Sequence, residues 1–322
     1  MKKVVLMPPN WLGDVILAQP ALRSLCLQHQ DVEIAVFGRG WLKELLPFLN
    51  LNHPNIHVVD DIPKRSDAVF LFPNSLRSAL QAFRSRAKKR IGYRRDGRSL
   101  LLTHAYKSRI DLKHEHHRGY YLDMLRQYGL DTPLDEVELI APQSIQAQAV
   151  ALLKEKGIDP AKFICIAPGA QFGGAKRYPA ESYNHVLVQL SKDGWHVVTL
   201  GTDAERDIAS QCLLDVSGQQ WNAAGETSLT QALALVSVAK LVLCNDSGLM
   251  HVAAGLGVPT VCMFGATDPA RTSPSGKRVK LLYQPADCSP CLKRECEVKG
   301  QPCMKNITPD MVYQACEGFL ES

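Results

Sequence analysis

Short apolar runs alternate with longer segments in which apolar residues recur at helical spacing, beginning at the first residues of the chain. In the first half this pattern predicts strands at residues 3–7, 33–37, 57–59 and 68–72, helices at residues 15–26 and 41–49, and a helix that follows Asn74-Ser75 and ends at residue 83. Strands that alternate with helices are typical of a doubly wound, mostly parallel sheet. We therefore expect an α/β lobe at the start of the chain.

The same pattern restarts near residue 163, after a stretch of weak periodicity at residues 131–143. It predicts strands at residues 163–167, 196–200, 241–244 and 260–264, and helices at residues 144–156, 180–192, 204–214, 229–237 and 308–320. Two α/β units of similar size predict two Rossmann-like lobes that face a cleft. We place these lobes at residues 1–155 and 156–322.

The composition is that of a soluble globular protein, because 46% of the 322 residues are hydrophobic and 21% are charged. The apolar run near the N-terminus is too short for a signal peptide, and no run approaches the ~20 residues of a membrane-spanning helix. We therefore expect a cytoplasmic protein, and we expect any contact with the inner membrane to be peripheral.

The net charge of +5 is concentrated in residues 84–98, which hold eight basic residues and one acidic residue. This segment contains one aromatic residue and lies in no recognised nucleic-acid-binding module. Two interpretations stay open, a solvated loop and a surface that binds an anionic small molecule or a lipid. The segment K-H-E-H-H-R at residues 113–118 fits no zinc-binding pattern, so we predict a polar helix entry there.

The segment N-D-S-G-L-M-H-V-A-A-G-L-G-V-P at residues 245–259 lies between two apolar runs and indicates a strand–loop–helix–strand unit. Asp246 and Ser247 are favourable N-cap residues, so that backbone N–H groups of residues 248–250 can face an anion. Because a carboxylate would repel phosphates, we expect Asp246 to cap the helix. His251 falls one turn into that helix, where it could contact phosphate or sugar, and a core histidine is the alternative. A capped helix that binds nothing is the alternative.

Two further loops follow predicted strands of the second lobe. Residues 168–179, P-G-A-Q-F-G-G-A-K-R-Y-P, combine glycines that permit close backbone approach with the point charge of Lys176, but they lack the spacing of a P-loop. In residues 201–205, G-T-D-A-E, the carboxylate of Glu205 is placed like the acid that binds ribose hydroxyls in dinucleotide-binding folds. Together with residues 245–259, these loops favour a nucleotide-diphosphate ligand.

Four motifs in order give the chain a family resemblance, at residues 9–22 (P-N-W-L-G-D-V-I-L-A-Q-P-A-L), 73–80 (P-N-S-L-R-S-A-L), 168–179 and 245–259. The chain resembles glycosyltransferase family 9. The resemblance implies a GT-B architecture that holds the acceptor in the N-terminal lobe and ADP-heptose in the C-terminal lobe. It also implies transfer of a heptose onto the first heptose of the lipopolysaccharide inner core, with inversion and without a metal or cofactor. The anionic core would then be the partner of residues 84–98.

An inverting transfer needs a base for the acceptor hydroxyl and positive charge for the departing diphosphate. The resemblance implies that Asp14 is the base, for which helix capping is the alternative, and we assign the positive charge to Lys176. The expected donor-binding residues are Gly169, Ala170, Lys176, Glu205, Asp246, Ser247, Gly248, Leu249 and His251. The expected acceptor-binding residues are Asn10, Gly13, Asn74, Ser75 and Ser78. Helix capping is the alternative for the last three.

Other functions stay open. Within the family, the alternatives are transfer of the first heptose and transfer to another core acceptor. Outside the family, a sugar-nucleotide epimerase and a non-catalytic nucleotide-binding regulator would share the expected fold. A nicotinamide-dependent oxidoreductase is disfavoured, because no G-x-G-x-x-G follows the first strand.

Nine of the ten cysteines fall into two groups. Five lie in apolar segments, as expected in a reducing compartment: Cys26, Cys165, Cys212, Cys244 and Cys262. Four near the C-terminus form C-x2-C-x4-C-x6-C: Cys288, Cys291, Cys296 and Cys303. Because this spacing differs from that of paired zinc knuckles, a structural metal, a disulfide and reduced thiols all stay open.

Overall fold

A computed structural model of the protein describes residues 1–321. The chain divides into two compact units, Met1–Ile140 and Ala141–Ser322. The helix Gln143–Glu155 belongs to the second unit, where it packs against the helix Leu229–Val238. The boundary expected after residue 155 therefore lies one helix later than the division in the structure.

The first unit contains a six-stranded parallel sheet with the order β3-β2-β1-β4-β5-β6. The strands are β1 (Lys3–Met7), β2 (Glu33–Phe37), β3 (Ile56–Val59), β4 (Ala68–Leu71), β5 (Lys89–Tyr93) and β6 (His104–Tyr106). The helices are α1 (Leu12–Leu27), α2 (Leu42–Leu45), α3 (Leu76–Arg84) and α4 (His117–Tyr128), with 3₁₀ turns at Leu46–Phe48 and Arg98–Leu101. The strand order reverses between β1 and β4, which makes this position the switch point of the sheet.

The second unit repeats this topology with the order β12-β11-β10-β7-β8-β9, again all parallel. The strands are β7 (Phe163–Ala167), β8 (His196–Thr199), β9 (Gln220–Asn222), β10 (Val242–Asn245), β11 (Thr260–Phe264) and β12 (Val279–Tyr283). The helices are α5 (Gln143–Glu155), α6 (Ala180–Lys192), α7 (Arg206–Cys212), α8 (Leu229–Val238), α9 (Gly248–Gly255), α10 (Pro269–Thr272), α11 (Pro302–Lys305) and α12 (Pro309–Leu320), with 3₁₀ turns at Gly174–Lys176 and Asp203–Glu205. The switch point of this sheet lies between β7 and β10.

The central strands of both sheets are built mainly from buried apolar residues. Strands β4, β7, β10 and β11 are buried along their whole length, as expected for the central strands of parallel sheets. In the second unit, residues of α6 and α12 pack with β7, β10 and β11 in one cluster. None of the helices in the described part of the chain has the length and apolar character that a bilayer-spanning helix requires.

The hydrophobic pattern located each predicted strand and helix to within a few residues, but it missed the strands β5, β6, β9 and β12 and the short helices α10 and α11. The solvated-loop interpretation of residues 84–98 is wrong, because β5 lies within them and buries its last three residues. The polar helix entry at residues 113–118 is confirmed, since α4 begins at His117 with His116 as its N-cap.

Candidate functional site

A buried asparagine joins the two strands at the switch point of the second unit. Asn245 ends β10, and its side chain is fully buried. The amide Nδ2 donates to the carbonyls of Pro168, at 2.7 Å, and Gly169, at 3.2 Å. The oxygen Oδ1 accepts from the Tyr178 N–H and from the Tyr183 hydroxyl, both at 3.0 Å. Asn245 therefore holds both ends of the glycine-rich loop at residues 168–179. Asn245 belongs to the motif at residues 245–259, but no local pattern in the sequence indicates this bridging role.

Within that loop, Lys176 forms a buried ion pair with Asp246. The distance between Lys176 Nζ and Asp246 Oδ2 is 2.5 Å, and the two side chains are 13% and 5% exposed. The Thr267 hydroxyl donates to the same carboxylate oxygen at 2.5 Å. The structure thus brings together two of the predicted donor-site residues, and it adds Thr267.

Asp246 does not cap the helix that follows it. Helix α9 begins at Gly248 with Ser247 as the N-cap residue, and no side-chain hydrogen bond caps it. Because the Asp246 carboxylate is engaged by Lys176 and Thr267, the expected capping role of Asp246 is wrong. The Ser247 hydroxyl oxygen is buried and has no hydrogen-bond partner among the described residues. The first backbone N–H groups of α9, from Gly248 and Leu249 onward, are therefore not satisfied by a capping side chain.

Glu205 lies beside the glycine-rich loop, and its carboxylate caps the start of the 3₁₀ turn Asp203–Glu205. Its Oε2 accepts from the N–H of Thr202, at 2.8 Å, and from the Thr202 hydroxyl, at 2.9 Å, in a capping box. A Cβ atom at Gly169 would lie 1.9 Å from Glu205 Oε1, so any other residue there would displace the Glu205 carboxylate. Ala170, in the glycine-rich loop, and His251, in α9, are both buried.

In the first unit, Asp14 lies in the first turn of α1, where Trp11 is the N-cap residue. The alternative that Asp14 is the N-cap is therefore wrong. The Asp14 carboxylate adjoins Tyr121 of α4, whose pKa is raised well above its usual value, first by burial and then by the negative charge of Asp14. Asn10 is exposed just before α1, and Gly13 precedes Asp14 in the first turn. Tyr121 is a neighbour of Asp14 that sequence analysis did not find.

The polar residues after β4 all have partners within the chain. Ser75 is the N-cap of α3, and its hydroxyl accepts from the Ser78 N–H at 3.2 Å. The buried Ser78 hydroxyl donates to the carbonyl of Ser75 at 2.7 Å. The Asn74 amide donates to the Tyr120 hydroxyl at 2.8 Å. The capping alternative is thus confirmed for Ser75, and acceptor binding by these three residues stays a prediction.

Arg98 is buried behind this loop rather than exposed with the other basic residues of its segment. Its guanidinium donates to Asn74 Oδ1 and Ser78 Oγ, each at 3.3 Å, to the Tyr93 carbonyl at 2.8 Å, and to the carbonyl of Pro73. Burial lowers the pKa of Arg98. One basic residue of the segment therefore supports the loop after β4.

All ten cysteines are free thiols. Burial raises the pKa of the Cys303 thiol, and the neighbouring Cys288, Cys291 and Cys296 raise it further. Within residues 1–321 no group of three or more His, Cys, Asp or Glu side chains is arranged to hold a metal ion.

Both the sequence and the fold match those of known proteins. A sequence model of glycosyltransferase family 9 (heptosyltransferase) matches residues 63–301, well over half of the chain. The chain belongs to glycosyltransferase family 9. It is therefore a glycosyltransferase, and the resemblance seen in the four motifs is confirmed.

Relatives within the family match along the whole chain. The chain is 28% identical to lipopolysaccharide heptosyltransferase 2 of Salmonella typhimurium and to that of Escherichia coli, and each alignment spans 99% of this chain and 98% of the relative. Among solved structures, that of E. coli ADP-heptose lps heptosyltransferase II matches with a TM-score of 0.82 at 25% identity, covering 100% of this chain and 99% of the other. The predicted GT-B fold class, with two Rossmann-like units, is confirmed.

Replacement of Asn245 by aspartate tests its role in the family 9 fold. The Asn245→Asp variant should lose about 2–4 kcal/mol of unfolding free energy, because it cannot donate to the two buried carbonyls and places a charge against them. Urea denaturation measures the loss. Asn306→Asp, at an exposed position, is the matched control and should change the free energy by less than about 0.5 kcal/mol. Equal losses in the two variants would contradict the assignment.

Proposed function

We propose that the protein transfers L-glycero-D-manno-heptose from ADP-heptose onto the first heptose of the lipopolysaccharide inner core, with inversion at the anomeric carbon. The names of its full-length relatives support this choice of donor and acceptor. The observation that carries the proposal is the Lys176–Asp246 pair beside the uncapped start of α9, at the switch point of the second sheet.

The second unit is proposed to bind ADP-heptose. Backbone N–H groups at the start of α9 bind the diphosphate, helped by the partial positive charge of the helix terminus. Lys176 supplies the charge that stabilises the leaving diphosphate. Glu205, with Oε2 held by Thr202, presents its other oxygen toward Gly169 and is the candidate for the ribose hydroxyls.

The first unit is proposed to bind the acceptor. Asp14 takes the proton of the attacking hydroxyl as that oxygen forms a bond to the anomeric carbon of the donor heptose. The bond from this carbon to the phosphate oxygen breaks, and its electron pair leaves with ADP. No metal enters the proposed step, in which Lys176 and the N–H groups of α9 help to stabilise the departing charge.

The lipopolysaccharide core carries carboxylates and phosphates, and exposed basic side chains near β5 suit such an acceptor at a membrane surface. These residues are Arg84, Arg86, Lys88, Lys89, Arg94 and Arg95. We propose that they hold the protein peripherally at the cytoplasmic face of the inner membrane.

Mass spectrometry of truncated cores after incubation with ADP-heptose tests the proposal. One heptose should be added to a core that already carries one, and a core without heptose should stay unchanged. Transfer only to the heptose-free core, or only to another acceptor, would instead identify a different transferase of the family. Conversion of ADP-heptose without acceptor would indicate an epimerase, and donor binding without turnover would indicate a regulator.

The role of Lys176 requires a paired substitution. Lys176→Ala alone leaves the buried Asp246 carboxylate unpaired, which destabilises the fold. The double variant Lys176→Ala/Asp246→Asn removes both charges and should fold, yet its kcat should fall about 100-fold or more. Asp246→Asn alone keeps the ammonium group and controls for loss of the carboxylate, so its kcat should exceed that of the double variant. A folded double variant with nearly normal kcat would show that Lys176 does not stabilise the leaving diphosphate.

The role of Asp14 is tested by Asp14→Asn. Loss of the base should lower kcat about 10²–10⁴-fold. ADP affinity, measured by calorimetry, should not change, because the proposed ADP site lies in the second unit. The exposed Asp31→Asn in the same unit is the matched control and should leave kcat unaltered. Comparable kcat values in the two variants would rule Asp14 out as the base.

A further inference from the structure

Two cations border one aromatic ring in the glycine-rich loop. The Lys176 Nζ lies 4.9 Å from the centroid of the Phe172 ring, and the guanidinium carbon of Arg294 lies 5.4 Å from the same centroid. Arg294 lies in the cysteine segment, residues 288–303, which contains Cys288, Cys291, Cys296 and Cys303. No residue of this segment has a role in the proposed heptose transfer.

The cysteine segment is fastened to the loop that carries Lys176. The Ala175 N–H donates to the carbonyl of Arg294 at 2.9 Å. The Gln301 amide donates to the carbonyls of Gly174, Ala175 and Arg177, at 3.2, 2.9 and 3.1 Å. These bonds fix the backbone of Arg294 relative to Lys176.

The loop is also shaped for this contact. A Cβ atom at Gly173 would lie 2.2 Å from the backbone oxygen of Arg294, so the two backbones can approach only because residue 173 is glycine. The neighbouring Glu295 accepts from the Gly174 N–H at 3.0 Å. The Glu295 carboxylate is thereby held on the loop backbone.

The Lys176–Asp246 pair carries little net positive charge, so a second cation would add to the attraction for a diphosphate. Asp246 balances the ammonium of Lys176 in this structure, while a nucleotide diphosphate brings about two negative charges to the site. Arg294 is exposed, and its guanidinium has no carboxylate or hydrogen-bond partner among the described residues. It is therefore available to an anion bound next to the loop.

We propose that Arg294 is a second cation of the donor site and binds the diphosphate of the nucleotide sugar together with Lys176. This inference rests on the proposed function, which places the diphosphate beside Lys176. The planar guanidinium can stack on Phe172 and direct its N–H groups at phosphate oxygens. The cysteine segment then serves to hold this cation in place.

Calorimetric titration with ADP tests the proposal in the full-length protein. Arg294→Gln should weaken ADP binding about 10-fold or more, as expected for the loss of a charged hydrogen bond. Arg294→Lys keeps the charge and should recover part of the affinity. Lys299→Gln removes one positive charge from an exposed position of the same segment and should bind ADP within about twofold of the unmodified protein.

The salt dependence of ADP binding separates a phosphate contact from a structural effect. If Arg294 contacts phosphate, the affinity of Arg294→Gln should fall less steeply with salt than the affinities of the unmodified protein and of Lys299→Gln. Unaltered ADP affinity in Arg294→Gln, an equal loss in Lys299→Gln, or an unaltered salt dependence would each overturn the proposal.

The same experiment distinguishes failure of this inference from failure of the proposed function. If the unmodified protein binds ADP and transfers heptose while Arg294→Gln binds ADP normally, only the role of Arg294 is wrong. If the unmodified protein binds no ADP, the proposed function and the role of Arg294 both fail.

Discussion

The candidate donor site depends on the buried side chain of Asn245. This single amide fixes the exit from β7 at Pro168 and Gly169 and the approach to α6 at Tyr178. Ordering a loop costs about 1–2 kcal/mol of conformational entropy per residue, and a glycine-rich loop loses more than most. Hydrogen bonds made in a dry interior are strong enough to offset part of that cost. Because Asn245 holds both ends of the loop in place, Lys176 within the loop also has a defined position.

The next residue, Asp246, balances the charge of Lys176. An unpaired ammonium group would be costly where Lys176 lies, because its side chain is only 13% exposed. The carboxylate removes that cost and holds the ammonium in one place. It also brings the net charge of the pair close to zero. Lys176 then stabilises a diphosphate only together with other groups, of which the N–H groups of α9 are one and the proposed second cation, Arg294, is another.

Much of the fold could be predicted because hydrophobic periodicity is local. Strands Glu33–Phe37 and Phe163–Ala167 and helix Ala180–Lys192 have the bounds that the pattern gives. The pattern failed where charge interrupts a strand: β5 begins with Lys89 and Arg90, whose side chains hide the signal of the buried residues that follow. It also failed for strands of three residues, which are too short to show a period.

The candidate site was predictable only in part. The ends of strands can be predicted from neighbouring residues, but contacts between loops join residues that are far apart in the sequence. Lys176 and Asp246 lie in separate loops of the sequence, and local propensity favours a capping role for Asp246. The pairing of these residues requires β7 and β10 to be neighbours, which only the strand order reveals. The same reason applies in the first unit. Asp14 meets Tyr121, and Asn74 meets Arg98, through elements far apart in sequence. A buried arginine inside a basic run carries no local signal that distinguishes it from its exposed neighbours.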